Sequence, residues 1–201
     1  MSIRKIPLTT VILAGGQGTR MGGDKGLQSL HGRALVSWVV EAVKRESQEI
    51  LLSANESQDV YAKFGYRVIA DQRPNWPGPL AGLEAALGIA QTQYVLSVPC
   101  DTPFLPDDFI SRLLNSHIAN AAEASVAVVA GRRQPTIVLY NKSVLSKLQA
   151  YLGSGKRKVN DWLDCLRLCE VVFVNECDFD NINTQEDLAR ANQMPMKERQ
   201  S

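Results

Sequence analysis

The chain has 201 residues, of which 45% are hydrophobic and 21% are charged, a composition typical of a globular domain and not of a disordered or fibrous chain. A net charge of +1 provides no strong field to attract nucleic acid or an anionic membrane surface. No segment approaches the roughly 18 consecutive apolar residues of a membrane-spanning helix, and no apolar stretch of signal-peptide length follows the first residues. We therefore expect a cytoplasmic protein with neither nucleic acid nor a membrane as a partner.

The four cysteines are Cys100, Cys165, Cys169 and Cys177. Their spacing matches neither a paired CxxC zinc site nor the disulfide framework of a small secreted domain. The last three could together bind a metal, but Cys165 falls in a helical pattern and Cys169 opens a strand. We predict reduced, mostly buried thiols, which are typical of the cytosol.

Apolar runs rich in β-branched residues alternate with segments of helical periodicity along most of the chain. The predicted strands are Thr9–Leu13, Ile50–Leu52, Tyr66–Ala70, Tyr94–Val98, Ser125–Ala130, Thr136–Tyr140 and Val171–Val174. The predicted helices are Leu35–Val43, Val60–Phe64, Leu80–Ala90, Pro106–Ala119, Lys142–Leu152, Val159–Leu166 and a closing helix that Thr184 caps, with Asp187 as the partner in a weaker capping box. This order predicts an α/β fold of three layers, with a mostly parallel, Rossmann-like sheet and helices on both faces.

The first predicted strand is followed by about twenty residues before the next helix, much longer than a usual βα loop. Six glycines lie between Gly15 and Gly26, and they allow the backbone to approach a ligand closely. Consecutive amide groups in such a loop form an anion-binding concavity, and Arg20 and Lys25 add two cations. The loop therefore predicts a site for a triphosphate, and the alternative is a surface loop whose glycines only make turns.

Two common phosphate-binding patterns do not match this loop. The dinucleotide fingerprint GxGxxG fails because Met21 stands where its third glycine belongs. The ATPase pattern needs Gly-Lys-Ser/Thr, whereas Lys25 follows Asp24 and precedes Gly26. A different class of nucleotide-binding protein is indicated.

The string from Leu13 to Lys25 resembles the LAGGxSxRMGxDK signature of molybdenum cofactor guanylyltransferases and their nucleotidyltransferase relatives, with Gly18 or Thr19 in place of the serine. Three further segments resemble the same family in the same order, namely Pro77–Gly82, Pro99–Pro103 and Asn181–Thr184. The resemblance extends from Thr10 to Leu188 and implies the three-layer nucleotidyltransferase fold.

The resemblance, together with the residue chemistry, implies a role for each of several positions. Catalytic roles are expected for Arg20, Lys25 and Asp101. Nucleotide contacts are expected at Leu13, Ala14, Gly15, Gly16, Lys25, Ser53, Asp71 and Asp101, and acceptor contacts at Gly22, Gly78, Gly82, Asn181 and Asn183. Asp101 is also the expected ligand of Mg²⁺, because a carboxylate after a strand end suits a hard cation that bridges a triphosphate.

Other interpretations of these residues stay open at this point. Asp101 could make an Asx turn towards Thr102. Asp71 could accept the paired donors of guanine or contact the ribose, or it could instead cap its strand or pair with Arg73. Gly78 and Gly82 could serve only close helix packing. The basic run from Lys156 to Lys158 could hold an acceptor phosphate or could be a solvated turn.

The resemblance implies transfer of GMP from Mg²⁺·GTP to the phosphate of molybdopterin that carries molybdenum, with the guanine dinucleotide cofactor and pyrophosphate as products. Apo-molybdoenzymes or their chaperones are possible recipients. Neither His31 nor His117 has a companion that suggests a general base, and both are predicted at the surface. Since a phosphate monoester is already an anionic nucleophile, the reaction needs charge neutralisation more than proton abstraction.

Alternative functions are a cytidylyltransferase on the same cofactor, a sugar-phosphate nucleotidyltransferase and a non-catalytic cofactor carrier. No linker or repeat divides the sequence, so we predict one domain over residues 1–193 and a frayed tail at 194–201. Within it, residues 8–105 are expected to bind the nucleotide and residues 106–193 mainly the acceptor.

Overall fold

The structure, a computed structural model, describes residues 6–14, 23–73 and 78–194. Its strands are β1 (Leu8–Leu13), β2 (Ser29–Leu30), β3 (Arg33–Ala34), β4 (Glu49–Ser53), β5 (Arg67–Ile69), β6 (Tyr94–Pro99), β7 (Ala124–Val129), β8 (Arg132–Asn141) and β9 (Leu168–Phe173). Its α-helices are α1 (Leu35–Val43), α2 (Gln58–Ala62), α3 (Pro79–Ile89), α4 (Phe109–Ala119), α5 (Leu145–Gly153), α6 (Val159–Leu163) and α7 (Gln185–Gln193). Short 3₁₀ turns occupy Lys25–Leu27, Lys142–Val144 and Glu176–Phe179.

Seven of the strands form one sheet in the order β5-β4-β1-β6-β8-β7-β9. β1 pairs in parallel with both β4 and β6, β5 is parallel to β4, and β9 is parallel to β7. Only β8 runs antiparallel to its neighbours, β6 and β7. The predicted α/β class with a mostly parallel sheet is therefore confirmed.

Helices cover both faces of the sheet because successive strand residues point to opposite sides. In β1, Leu8 and Ile12 join a core cluster with α1 and α4, whereas Val11 joins a second cluster with α3, α5 and α6. The five periodic residues of α1 that predicted its buried face are all buried: Leu35, Val36, Val39, Val40 and Val43. Burying a side chain of this kind contributes about 1.5 to 3 kcal/mol, so these clusters set the three-layer arrangement.

The chain crosses from one side of β1 to the other between β5 and β6. β4 and β5 extend the sheet on one side of β1, and β6 begins the other side. A ligand crevice forms at such a reversal, beyond the carboxyl ends of the strands. The fold therefore indicates a ligand site at the residues that follow β1 and β6.

A small hairpin of β2 and β3 was not predicted. Its turn is formed by His31 and Gly32, which have φ angles of 48° and 76°, as the two central residues of a type I′ turn require. Leu30 of this hairpin packs in a third cluster with Leu188 and Ala191 of α7. The hairpin thereby connects the segment after β1 to the last helix of the chain.

Several predictions about individual residues need correction. His117 is 2% exposed, not superficial, because α4 turns it towards β7, where its Nδ1 lies 3.0 Å from Ser125 Oγ. His31 is partly buried, with Nε2 lying 3.1 Å from the carbonyl oxygen of Ala191.

The cysteines are also less buried than predicted. Cys100 is buried, but Cys165 and Cys177 are exposed and Cys169 is intermediate, and all four are free thiols. Cys165 lies just beyond the end of α6, so its side chain is not held in a helix–sheet interface. No cluster of three or more potential metal ligands occurs within the described residues, the cysteines included.

The capping box at α7 is confirmed, since Thr184 Oγ1 accepts from the Asp187 amide and the Asp187 carboxylate accepts from the Thr184 amide. Within the described ranges, no helix has the length and apolar character needed to cross a membrane.

Candidate active site

The ends of three parallel strands meet at one edge of the sheet. Leu13, the last residue of β1, is in register with Ser53 of β4 and Pro99 of β6. The Ala14 amide donates to the Ser53 carbonyl at 2.8 Å, and the Cys100 amide donates to the Leu13 carbonyl at 3.1 Å. These bonds extend the sheet by one residue and place Asp101 directly beyond its carboxyl edge.

Lys25 connects two distant predicted residues at this edge. Its ammonium group donates to Asp101 Oδ2 in a short ion pair and to Asn183 Oδ1 at 2.6 Å. The Lys25 and Asp101 side chains are 19% and 11% exposed. Residues that are 76 and 158 positions from Lys25 in sequence thus share one cation.

One oxygen of Asp101 has no partner in the part of the chain that the structure describes. Its Oδ1 is buried and accepts no hydrogen bond from any residue that the structure describes. A buried carboxylate oxygen without a donor is costly, so it is a natural position for a cation. One carboxylate fits Mg²⁺, which is commonly held by one or two carboxylates plus substrate phosphates and water. The alternative interaction of Asp101 with Thr102 is not seen. The Asp101 carboxylate accepts from Lys25, and the Thr102 hydroxyl donates to Asn181.

Asn181 and Asn183 lie on the extended segment before α7, where Asn183 contacts Lys25 and Asn181 contacts Thr102. Thr102 Oγ1 donates to Asn181 Oδ1 at 2.5 Å, and the Ile182 amide donates to the Asp101 carbonyl at 2.9 Å. This segment is therefore attached to the residues after β6. Since both amide oxygens are engaged, the NH₂ groups of the two asparagines are the donors that remain to meet a ligand.

A second polar pair follows β4 and β5. Asn55 Nδ2 donates to Asp71 Oδ2 at 2.8 Å, and the Asp71 amide donates to Asn55 Oδ1 at 2.9 Å. Burial raises the pKa of Asp71, and the hydrogen bond from Asn55 acts in the opposite direction. Arg73, the alternative partner of Asp71, makes a bidentate ion pair with Glu84 of α3 at 2.7 and 2.8 Å.

The two glycines of the α3 motif differ in their surroundings. A Cβ on Gly82 would overlap the Ser53 hydroxyl and lie 3.1 Å from Leu13 Cδ2, so this glycine allows α3 to pack closely on the strand ends. Gly78, the N-cap residue of α3, has a φ of 154°, and a Cβ there would meet no atom of the described residues within 4 Å. The packing interpretation thus holds for Gly82, and the described residues give it no support at Gly78.

Asp24 and Tyr61 were not predicted as site residues. Asp24 Oδ1 accepts hydrogen bonds from the Tyr61 hydroxyl at 2.5 Å and from the Gly26 amide at 3.2 Å. Asp24 is the N-cap of the 3₁₀ turn that carries Lys25. Its place beside Lys25 in the loop signature was the one sequence signal that could have indicated it.

Comparison with known proteins identifies the family. The model of the MobA-like NTP transferase domain matches residues 10–170. A molybdenum cofactor guanylyltransferase of Shewanella sp. is 41% identical over 187 residues, which cover 92% of this chain and 95% of that protein. The chain belongs to the molybdenum cofactor guanylyltransferase family. The resemblance first seen in four short motifs is confirmed, and the chain is a nucleotidyltransferase.

A further member is similar over most of its length, and a solved structure shares the fold. The molybdenum cofactor guanylyltransferase of Cupriavidus pinatubonensis is 40% identical over 92% of this chain and 96% of that protein. The crystal structure of molybdopterin-guanine dinucleotide biosynthesis protein A from Archaeoglobus fulgidus has a TM-score of 0.76 at 23% identity and covers 92% of this chain and 97% of that one. That likeness shows the shared fold.

Within this guanylyltransferase fold, the predicted site residues form two groups. Lys25, Asp101 and Asn183 are in direct contact, and Leu13, Ala14, Ser53 and Gly82 lie together at the strand ends. Asp71 lies after the neighbouring strand and contacts Asn55 instead. The predicted residues Gly15, Gly16, Arg20 and Gly22 lie outside the described residues.

Proposed function

We propose that this chain transfers GMP from Mg²⁺·GTP to the terminal phosphate of molybdopterin that carries molybdenum. The products are the guanine dinucleotide form of the cofactor and pyrophosphate. The observation that carries the proposal is the contact of Lys25 with Asp101 and Asn183 at the strand ends, beside a buried Asp101 oxygen without a donor. The names of the relatives support a guanylyl group over a cytidylyl group.

In the proposed reaction, an oxygen of the acceptor phosphate forms a bond to the α-phosphorus of GTP. The bond from that phosphorus to the oxygen shared with the β-phosphate breaks, and its electron pair leaves with pyrophosphate. Charge on the phosphate oxygens and the leaving group must be neutralised throughout this displacement. Lys25 supplies one positive charge in a fixed direction, because two acceptors restrict its ammonium group.

Asp101 is the residue that would hold Mg²⁺, through Oδ1, which has no hydrogen-bond partner among the described residues. When bound, the ion would neutralise phosphate charge and keep the triphosphate in one geometry. We assign Arg20, Gly15 and Gly16 to the same triphosphate, through the guanidinium and the loop amides.

We assign the base and ribose contacts to the end of the sheet that carries β4 and β5. Asp71, held by Asn55, could accept the adjacent N1–H and N2–H₂ donors of guanine with its two carboxylate oxygens. Cytosine has no such pair of donors. Ser53 offers backbone contacts at the end of β4, beside Leu13 and Ala14.

We assign the acceptor contacts to Gly78, Gly82, Asn181 and Asn183, together with Gly22 of the loop that follows β1. Residues 8–105 would then bind mainly the nucleotide, and residues 106–193 mainly the acceptor. A pocket of about 260 Å³ is lined by Asn181, Phe104 and Arg190, and also by the carboxylates of Asp180 and Asp187, the second of which pairs with Arg190. Its aromatic ring and amide suit the pterin ring of the acceptor more than its phosphate. The basic turn Lys156–Lys158 precedes Val159, which borders a crevice with Leu13 and Pro79, so it is a candidate for the acceptor phosphate.

We place the enzyme in the cytoplasm, where exposed free thiols such as Cys165 and Cys177 stay reduced. Its dinucleotide product would pass to apo-molybdoenzymes or their chaperones.

The test is pyrophosphate release by the purified chain with Mg²⁺ and molybdenum-loaded molybdopterin, with GTP and CTP in parallel reactions. We expect release with GTP and the acceptor together, and little release when the acceptor or Mg²⁺ is omitted. Glucose 1-phosphate serves as the control acceptor. Activity with CTP alone would show a cytidylyltransferase, activity with glucose 1-phosphate a sugar-phosphate nucleotidyltransferase, and cofactor binding without release a carrier.

A further inference from the structure

Tyr61 lies behind the candidate active site and is completely buried. It belongs to α2, between β4 and β5, and its hydroxyl donates to Asp24 Oδ1 at 2.5 Å. Burial, and secondarily the nearby Cys100 and Asp24, raise the pKa of Tyr61 far above its usual range. The raised pKa keeps the phenol protonated near neutral pH, so that it donates to Asp24.

The same Asp24 oxygen starts the turn that carries Lys25. The Gly26 amide donates to it at 3.2 Å, so Asp24 caps the 3₁₀ turn Lys25–Leu27. A capping bond of this type stabilises the first turn and restricts the residue that follows the cap. The backbone position of Lys25 thus depends on a carboxylate that Tyr61 holds in one orientation.

The surroundings of Gly26 show how closely the turn is packed. A Cβ on Gly26 would overlap the Tyr61 hydroxyl and would lie 3.2 Å from Cys100 Sγ. Cys100 directly precedes Asp101, the partner of Lys25. The turn is therefore packed between Tyr61 and the residue before Asp101.

We propose that Tyr61 is a positioning residue that acts through Asp24 to hold the Lys25 turn in register with Asp101. The Tyr61 hydroxyl donates to Asp24, whereas the Lys25 ammonium group donates to Asp101 and Asn183, so the effect of Tyr61 passes through Asp24 and the cap on Gly26. This proposal rests on the proposed function only where Lys25 is taken as catalytic. The structural part, a turn held by Tyr61, stands on its own contacts.

The kinetic test is a double-mutant cycle of Tyr61→Phe and Asp24→Ala, with pyrophosphate release as the assay. Tyr61→Phe keeps the ring and removes only the donor, and we expect kcat to fall about tenfold while the KM for GTP changes less than about threefold. If Tyr61 acts through Asp24, adding Tyr61→Phe to Asp24→Ala lowers kcat by less than about twofold more. A full tenfold further loss would show an independent role and overturn the proposal.

The matched control is Tyr94→Phe. Tyr94 begins β6, at the end of the strand opposite Asp101, and its hydroxyl accepts from Gln93 Nε2 at 3.3 Å. We expect wild-type kcat from Tyr94→Phe, so an equal loss in both variants would show no specific role for Tyr61 and would overturn the proposal. Asp24→Asn retains the acceptor oxygen and should keep more activity than Asp24→Ala. Equal inactivation by both substitutions would show that catalysis needs the negative charge of Asp24 in contact with the substrate, and this would overturn the proposal.

A second readout does not depend on transferase activity. In the protein without substrates, acetylation of Lys25 by an N-hydroxysuccinimide ester is followed by mass spectrometry. We expect several-fold faster acetylation in Tyr61→Phe than in the wild type or in Tyr94→Phe, because the turn no longer holds the ammonium group against its two acceptors. Unchanged acetylation would overturn the proposed positioning even if GMP transfer is confirmed. Faster acetylation in a chain without GMP transfer would refute the proposed function alone.

Discussion

Two clusters of charged side chains have similar composition but lie in different surroundings. At the carboxyl edge of the parallel strands, Lys25 contacts Asp101 and Asn183, and the Asp101 side chain is 11% exposed. On the antiparallel side of the sheet, Arg133 of β8 contacts Asp164 at 2.6 Å and Glu170 at 2.7 Å. The side chains of these two carboxylates are 62% and 47% exposed.

The comparison is instructive because solvent exposure decides how much an ion pair contributes to the free energy of folding. The hydrogen bonds to Asp164 and Glu170 raise the pKa of Arg133, but water and salt screen exposed pairs, which typically contribute about 0 to 1 kcal/mol. The Lys25 pair is largely desolvated, and Asp101 Oδ1 lacks a donor among the described residues. An arrangement that leaves a buried carboxylate oxygen unmatched is poorly explained by stability alone and well explained by a ligand.

The largest expected effect is the loss of Lys25. We expect Lys25→Ala to lower kcat by about 10² to 10³-fold, as for loss of a fixed group that stabilises developing charge. The fold should survive with a loss of about 1 to 3 kcal/mol, since Asp101 loses its partner. Kinetics and thermal melting of Lys25→Ala and Arg133→Ala test the contrast. An equal decrease of kcat in the two variants would contradict the difference between the two clusters. Unfolding of Lys25→Ala would assign Lys25 a structural role.

The next effect concerns the free oxygen of Asp101. We expect Asp101→Asn to raise the Mg²⁺ concentration for half-maximal activity about tenfold or more, because a neutral amide is a weaker ligand for a hard cation. Asp164→Asn is the matched control, as an exposed carboxylate that also pairs with one cation. Titration of activity with Mg²⁺ gives the half-maximal concentration for each of the two variants. An unchanged Mg²⁺ requirement in Asp101→Asn would remove Asp101 from the metal site.

A smaller effect, on stability, is expected to differ between two glycines of α3, Gly82 and Gly88. Gly82→Ala forces a methyl group onto Ser53 at the strand ends, and we expect a loss of about 1 to 3 kcal/mol in the free energy of unfolding. Gly88→Ala, on the same helix, meets no atom of the described residues within 4 Å and should stabilise by about 0.5 to 1 kcal/mol, as alanine does in a helix. Urea unfolding of both variants measures these values. Destabilisation by Gly88→Ala as well would mean that the close approach is not specific to the carboxyl edge.

The smallest effect lies on the antiparallel side, at His117. Burial lowers the pKa of His117 below its ordinary value of 6.5. As the pH falls below this value, the unfolded chain binds a proton that the folded chain does not, so stability decreases with decreasing pH. We expect this decrease, measured by urea unfolding between about pH 7.5 and about pH 5.5, to be weaker in His117→Gln. The same slope in both proteins would show that other groups cause it.

The elements of the fold were largely predictable from one sequence because apolar periodicity reports directly on burial. The β2–β3 hairpin was missed because its four strand residues are too few to show a period, although His31-Gly32 carried a turn signal. The burial of His117 was also missed, since it depends on Ser125 and Tyr94, which no local pattern connects to it.

The site was predictable in kind but not in geometry. Lys25 and Asp101 were predicted from the chemistry of a triphosphate and from family motifs. The contact of Lys25 with Asn183 joins residues 158 positions apart, and that of Tyr61 with Asp24 joins residues 37 positions apart. Such contacts arise only when helices pack on a common sheet, so the support of the Lys25 turn was not visible in the sequence.

The sequence by itself determined the class of the fold, the family and most of the residue types that phosphate chemistry requires, because these are expressed in local periods and short motifs. Only the tertiary structure decided which side chains share a hydrogen bond, which carboxylate oxygen is buried without a donor, and which glycine permits a close approach. The physical reason is that burial and partnership are properties of segments brought together by packing, and no segment carries them alone.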